Sequence, residues 1–183
     1  CLNSPDGHQR MMAAYVLVRK GKNEYMTYLE AGLKSESDRE VALANRLLWS
    51  VWFNEAGIDS REILYSCKDL MGHGKADEAI AKLTKLTLRK PNFAEAYNQR
   101  AIAYYMKNDL ERSLADCRTT LELNPIHFGS QSGMGECYLK LGKYDEARDA
   151  FETALKITPH AMGTKALLEK VNTVIQRRNK NVA

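Results

Sequence analysis

The sequence predicts an all-α fold: a right-handed solenoid of stacked antiparallel helix hairpins, with extra N-terminal helices and a C-terminal capping helix. Three observations carry it. Pro91, Pro125 and Pro159 stand 34 residues apart. Between them, small and bulky residues recur in phase. Ahead of and behind the repeated region, apolar residues recur at spacings of three and four, the period of a helix with one buried face.

From the N-terminus, Gln9 to Lys20 (QRMMAAYVLVRK) and Asn23 to Lys34 (NEYMTYLEAGLK) read as helices. The AAYVLV core of the first leaves a strand open, but a lone strand would have no pairing partner. Next comes SDREVALANRLLWSVWFNEAG, where Ser37 is the expected N-cap and Glu40, three residues on, completes a capping box. This helix should run to about Glu55. Val41, Ala44, Leu48, Val51 and Trp52 form one apolar side, and Leu43, Leu47, Trp49 and Phe53 form another. A helix apolar on two sides packs between two neighbours. The favoured arrangement is a degenerate hairpin stacked ahead of the first repeat, with Gly57 where the period calls for proline.

Three units follow, at 60–93, 94–127 and 128–161, after an N-terminal segment at 1–59. Counted within each unit, position 8 is Cys67, Ala101 and Gly135, and position 20 is Ala79, Ser113 and Ala147. Small side chains belong where two helix backbones cross closely. Bulk surrounds that crossing: Leu70, Tyr104 and Tyr138 at position 11, then Leu83, Cys117 and Phe151 at position 24. Gly74, Asn108 and Gly142 at position 15 suit the left-handed conformation that ends a helix. Acids then open each second helix (Asp77 and Glu78, Glu111, Asp145 and Glu146), where the dipole favours them. Proline at position 32 ends it. In the last segment, 162–183, Leu167, Leu168, Val171, Val174 and Ile175 mark one stripe of an amphipathic helix, expected to cover the terminal face of the array.

A 34-residue helix-turn-helix period with these small, bulky and proline positions resembles the tetratricopeptide repeat. The resemblance covers residues 60 to 161 and is strongest in the third unit. With a tryptophan-bearing helix before it and a terminal helix after it, the chain is similar to small stand-alone proteins of that family. The resemblance implies a concave surface lined by the first helix of each hairpin. Its ligand-facing residues would be Leu64, Lys68 and Met71 from the first unit, Asn98, Ile102, Tyr105 and Met106 from the second, and Ser132, Glu136 and Leu139 from the third. One subfamily grips chaperone C-terminal carboxylates with a basic and asparagine clamp. Here Leu64, Gln99, Gly129 and Gly133 stand at clamp positions, and only Lys68 suits a carboxylate. Tails of Hsp70 or Hsp90 are therefore expected to be poor ligands.

Several function classes are disfavoured. Gly133-Met134-Gly135 lies inside a helix, not between a strand and a helix, so it is no phosphate loop. Four histidines and four cysteines show no metal-ligand spacing, and no nucleophile motif occurs. No cofactor, metal or catalytic residue is expected. The net charge of +4 comes entirely from residues 165–183, where Lys165, Lys170, Arg177, Arg178 and Lys180 face Glu169; the remainder holds 22 bases and 22 acids. That balance disfavours nucleic acid as a partner. No apolar run is long enough for membrane insertion. Cys67, Cys117 and Cys137 read as buried free thiols, which favours a reducing compartment such as a cytoplasm or organelle matrix. The expected function is a non-catalytic adaptor or scaffold that binds a peptide or helix. The alternative is a partner-binding segment of a larger enzyme or membrane-bound assembly.

Overall fold

A computed structural model describes residues 2–180. Ten α-helices follow one another: α1 (Gly7–Val18), α2 (Met26–Gly32), α3 (Asp38–Asn54), α4 (Ile58–Gly72), α5 (Ala76–Arg89), α6 (Ala94–Met106), α7 (Leu110–Leu123), α8 (Phe128–Lys140), α9 (Tyr144–Ile157) and α10 (Met162–Lys180). No strand occurs among the described residues. The AAYVLV stretch is helical because a period near four buries Met11, Ala14 and Val18 together. A 3₁₀ turn at Asn23–Tyr25 precedes α2, so the second expected helix is split. Ser37 caps α3 by accepting from the Glu40 N–H at 3.4 Å. The return arm of the expected box differs: Glu40 takes the Ser35 hydroxyl at 2.6 Å, and Ser35 Oγ accepts the Ser37 N–H at 3.1 Å. Serine 35 relays the cap.

The hairpins α4–α5, α6–α7 and α8–α9 share one construction. Gly74, Asn108 and Gly142 adopt φ of 74°, 57° and 71°. Around each, a six-to-one backbone bond closes the turn at 2.9 Å: Lys75 N–H to Leu70 C=O, Asp109 to Tyr104, Lys143 to Tyr138. Each second helix ends two residues before its proline. At the crossings, Cys67 Sγ–H reaches Ala79 C=O at 3.8 Å and Ser113 Oγ–H reaches Ala101 C=O at 2.9 Å. In the third unit, a Cβ on Gly135 would come within 2.5 Å of the Phe151 ring. Arg100 ties consecutive units: its Nε and Nη2 donate to Asp116 at 2.7 and 2.8 Å and its Nη1 to Thr87 at 3.0 Å, joining α5, α6 and α7. The last helix, α10, buries Val171 and Ile175 against Ala147 and Phe151, and Arg178 donates to Asp145 at 2.8 Å.

The N-terminal helices do not continue the stack. Their core of Met11, Leu29, Leu33, Leu43, Leu47 and Leu48 is drawn mainly from these helices. α3 lies against α4 and α6, and its aromatic end reaches the start of α8, where Trp49 and Trp52 meet His127 and Phe128. The expected in-line hairpin is thereby corrected. Its physical cause is twofold. Gly57, at φ 91°, redirects the chain between α3 and α4. Trp49, Trp52 and Phe53 are also too bulky for the close crossing that small residues permit in the other hairpins. The two bodies instead exchange aromatics: Phe53 enters the array core beside Leu64 and Leu83, while Phe128 enters the N-terminal core beside Leu48 and Trp52. Burial of each phenylalanine contributes about 1.5–3 kcal/mol.

Candidate functional site

In the array α3 lies chiefly against the first helices α4 and α6, from which the ligand-facing residues were inferred, while Phe53 also reaches Leu83 and Leu86 of α5. The concave side is therefore partly filled by the chain itself. Leu64 and Asn98 contact no solvent-open surface: Leu64 is fully buried beside Phe53, and Asn98 is 3% exposed. Both leave the candidate surface, since neither side chain can reach a ligand here. Ser132 is engaged by Thr164 of α10, their hydroxyls 3.2 Å apart. Met106 is exposed.

The other inferred residues fall into two recesses that share no lining residue. The first, of about 630 Å³, lies between three helices: α3 contributes Arg46, Trp49 and Phe53, α4 contributes Tyr65, Lys68 and Met71, and α6 contributes Gln99 and Ile102. Its floor is aromatic and aliphatic. Lys68 Nζ stands 5.3 Å from the Phe53 ring centroid, leaving a cation at the rim. The α3 contribution could not be foreseen from a repeat register that ends at residue 60. The second recess, of about 470 Å³, joins Tyr105, Glu136 and Leu139 to Leu167 and Lys170 of α10. Lys140 Nζ sits 3.8 Å over the Tyr105 ring. Burial, and after it Glu136, pushes the Tyr105 hydroxyl above its ordinary range.

Beside the first recess lies a polar cluster that sequence reading did not assemble. Glu95 and His127 are both fully buried. Glu95 Oε1 accepts from Asn98 at 3.1 Å and Gln99 at 2.6 Å, and its Oε2 pairs with His127 Nε2 at 2.9 Å. His127 Nδ1 accepts the Ser130 N–H at 3.1 Å and so caps α8. With Nδ1 an acceptor, the neutral ring carries its proton on Nε2 and donates it to Glu95. Ser130 Oγ–H in turn reaches Asn98 Oδ1 at 2.8 Å. The sequence signal was that Glu95 and His127 lie 32 residues apart, almost one repeat, which places Glu95 in the first turn of α6 and His127 at the N-cap of α8.

The three described cysteines are buried. Burial raises all three thiols, Cys117 to about 12, and Cys137 Sγ–H donates to Ser113 Oγ at 3.3 Å. These are packing groups with little thiolate. Among the described residues, no group of three or more His, Cys, Asp or Glu is placed to hold a metal ion, and no helix is long and apolar enough to cross a membrane.

Comparison with known proteins agrees with the geometry of the hairpins. Family profiles described as tetratricopeptide repeat match residues 68–125 and 130–161. A TPR repeat-containing protein of Rhizobium etli is 29% identical over 150 residues, covering 79% of this chain and 70% of that protein. Longer curated relatives are spanned over only 10 to 18% of their length. Among solved structures, MamA is 18% identical and superposes with a TM-score of 0.61 over 91% of this chain and 86% of its own, which marks a shared fold. The second TPR domain of the human RPAP3 protein, in complex with an HSP70 peptide, is 25% identical with a TM-score of 0.56 over 58% of this chain and 89% of its own. Other structural neighbours are the first TPR of Spaghetti (RPAP3) bound to an HSP90 peptide and the TPR2B domain of yeast Sti1 in a pHsp70 complex. Such ligands are common among the neighbours, so the expectation that chaperone tails are poor ligands finds no support there. In-phase hairpins, small-residue crossings and matched profiles together make this chain a member of the tetratricopeptide-repeat family.

Proposed function

We propose that the chain is a non-catalytic protein-interaction module that holds an extended peptide in the recess between α3, α4 and α6. The observation that carries this is the composition of the recess: an apolar floor of Trp49, Phe53, Met71 and Ile102, with the cationic heads of Arg46 and Lys68 at its margin. Such a surface fits a peptide with one or two apolar side chains and an adjacent acid, the apolar groups supplying affinity and the charges orientation. Peptide complexes among the structural neighbours support a peptide as the class of ligand. Acidic chaperone tails are accordingly among the peptides to test, although Leu64 and Gln99 here serve packing and the Glu95 cluster instead of a carboxylate clamp.

The test is selection of a displayed peptide library on the full chain, followed by titration of the selected consensus and of an acidic chaperone tail. Lys68→Glu with Ile102→Asp should weaken the consensus at least ten-fold. Leu88→Asp, on an exposed side chain of α5 outside both recesses, should not. A consensus that binds the double variant as well as wild type sinks the assignment.

A further inference from the structure

We infer that the array surface covered by α3 is itself a binding site for an amphipathic helix carrying aromatic residues three positions apart, and that α3 is its resident intramolecular occupant. The inference does not rest on the peptide reading of the neighbouring recess. It starts from the way α3 is held. Among the described residues, the side-chain hydrogen bond between α1–α3 and the array is that of Arg61 to Asn54, at the junction itself, at 2.9 Å. Among the described residues no ion pair crosses. What seats α3 is aromatic: Trp52 stacks on His127 at 4.4 Å and 25°, and Trp49 meets Phe128 edge-on at 5.6 Å.

The receiving surface is complete without α3. Glu95, Asn98, Gln99, His127 and Ser130 satisfy one another within the array, so withdrawing α3 orphans none of their bonds. The surface is also shaped for a ring: at Gly129 a Cβ would lie 2.9 Å from Trp49 Cη2, so glycine leaves the recess the indole fills. Conversely, the resident fits imperfectly. Trp52 Nε1 is buried with no hydrogen-bond partner among the described residues. A helix with phenylalanine at that place would make the same stack with no N–H to bury. Finally, α1–α3 build most of their core among themselves, Phe128 being the array's buried contribution, and join the array through Glu55, Ala56 and Gly57, the last at φ 91° with open space around it. These are the attributes of a docked module: a core drawn mainly from its own helices, a short pivot, and no side-chain polar tie beyond the one at the junction. A partner helix must outcompete a tethered one, whose effective concentration is of millimolar order. Because α3 also walls the peptide recess, the two ligands exclude each other.

Calorimetric titration of a synthetic peptide spanning residues 37–55 into the full chain tests this. The variant carrying Trp49→Ala and Trp52→Ala should bind the peptide at least ten-fold more tightly than wild type, and adding Gly129→Leu should abolish that gain. The same peptide with phenylalanine in place of Trp52 should bind at least as well. A folded double variant that binds no better than wild type overturns the inference. Native-state hydrogen exchange on the unaltered protein decides the matter should that variant not fold. Amides of α3 should exchange through a local opening below the denaturant concentration that opens α7 and α9; exchange only with global unfolding overturns it. Light scattering separates the remaining occupant: a monomer at all concentrations supports a foreign helix, whereas a concentration-dependent dimer assigns the site to a second copy and overturns the foreign partner.

Discussion

The carboxylate of Glu95 in α6 and the imidazole of His127 at the N-cap of α8 pair at 2.9 Å, both side chains wholly out of solvent. Each holds a further partner from its own helix, Asn98 and Gln99 for Glu95 and the Ser130 N–H for His127. Removing one member strands the other in a dry site. His127→Ala should therefore destabilise the fold by about 3–5 kcal/mol, adding loss of the α8 cap to an uncompensated carboxylate. Urea denaturation checks this, and a loss below about 1 kcal/mol would contradict it.

Arg100 and Asp116 predict a failure of conservative exchange. The guanidinium bridges Asp116 through two nitrogens while a third meets Thr87. An ammonium cannot make that fork. Arg100→Lys should lower the melting temperature by several degrees, and a cycle with Asp116→Asn should show coupling of about 1–3 kcal/mol. Equal melting of wild type and Arg100→Lys would refute the staple.

Two glycines two positions apart in α8 should respond in opposite directions. A Cβ on Gly135 meets Phe151, which is fully buried and has nowhere to retreat, so Gly135→Ala should cost about 1–3 kcal/mol. At Gly133 the nearest atom is Cys117 Sγ at an ordinary 3.7 Å. Gly133→Ala should stabilise by about 0.5–1 kcal/mol through helix propensity. Denaturation midpoints of the two variants on opposite sides of wild type are the expected result.

The thiols give a pH prediction. A folded value near 12 at Cys117 keeps it protonated throughout the mild alkaline range. The shift is upward, so the favourable burial of the neutral thiol persists below the unfolded value and fades only as pH climbs toward the folded one. Iodoacetamide at pH 8.5, followed by peptide mapping, should label Cys117 and Cys137 at least 100-fold more slowly in native than in urea-unfolded protein. Rapid native labelling of Cys117 would disprove the packing role.

Much of the array was legible because each of its hairpins is closed by local chemistry. The left-handed turns at Gly74, Asn108 and Gly142 and the small crossings need only residues within one unit, and the period exposed them. What escaped was every relation between units that does not repeat. Arg100 of the second unit meets Thr87 of the first once, with no counterpart elsewhere in the described array. The destination of α3 depended on where bulky rings could be seated, and its two apolar sides indicated two neighbours without naming them. Leu64 and Asn98 stand at ligand-facing positions of the period, but Phe53 of α3 packs on the first, and the second is bonded to Glu95 and Ser130.

Both tryptophans of the chain lie in α3, one against His127 and the other against Phe128 and Gly129. The protein thus carries its own optical reporter at the junction of its two bodies. The emission maximum should be blue while α3 is seated and move to the red when it lifts, so any occupant of the array can be followed without a label.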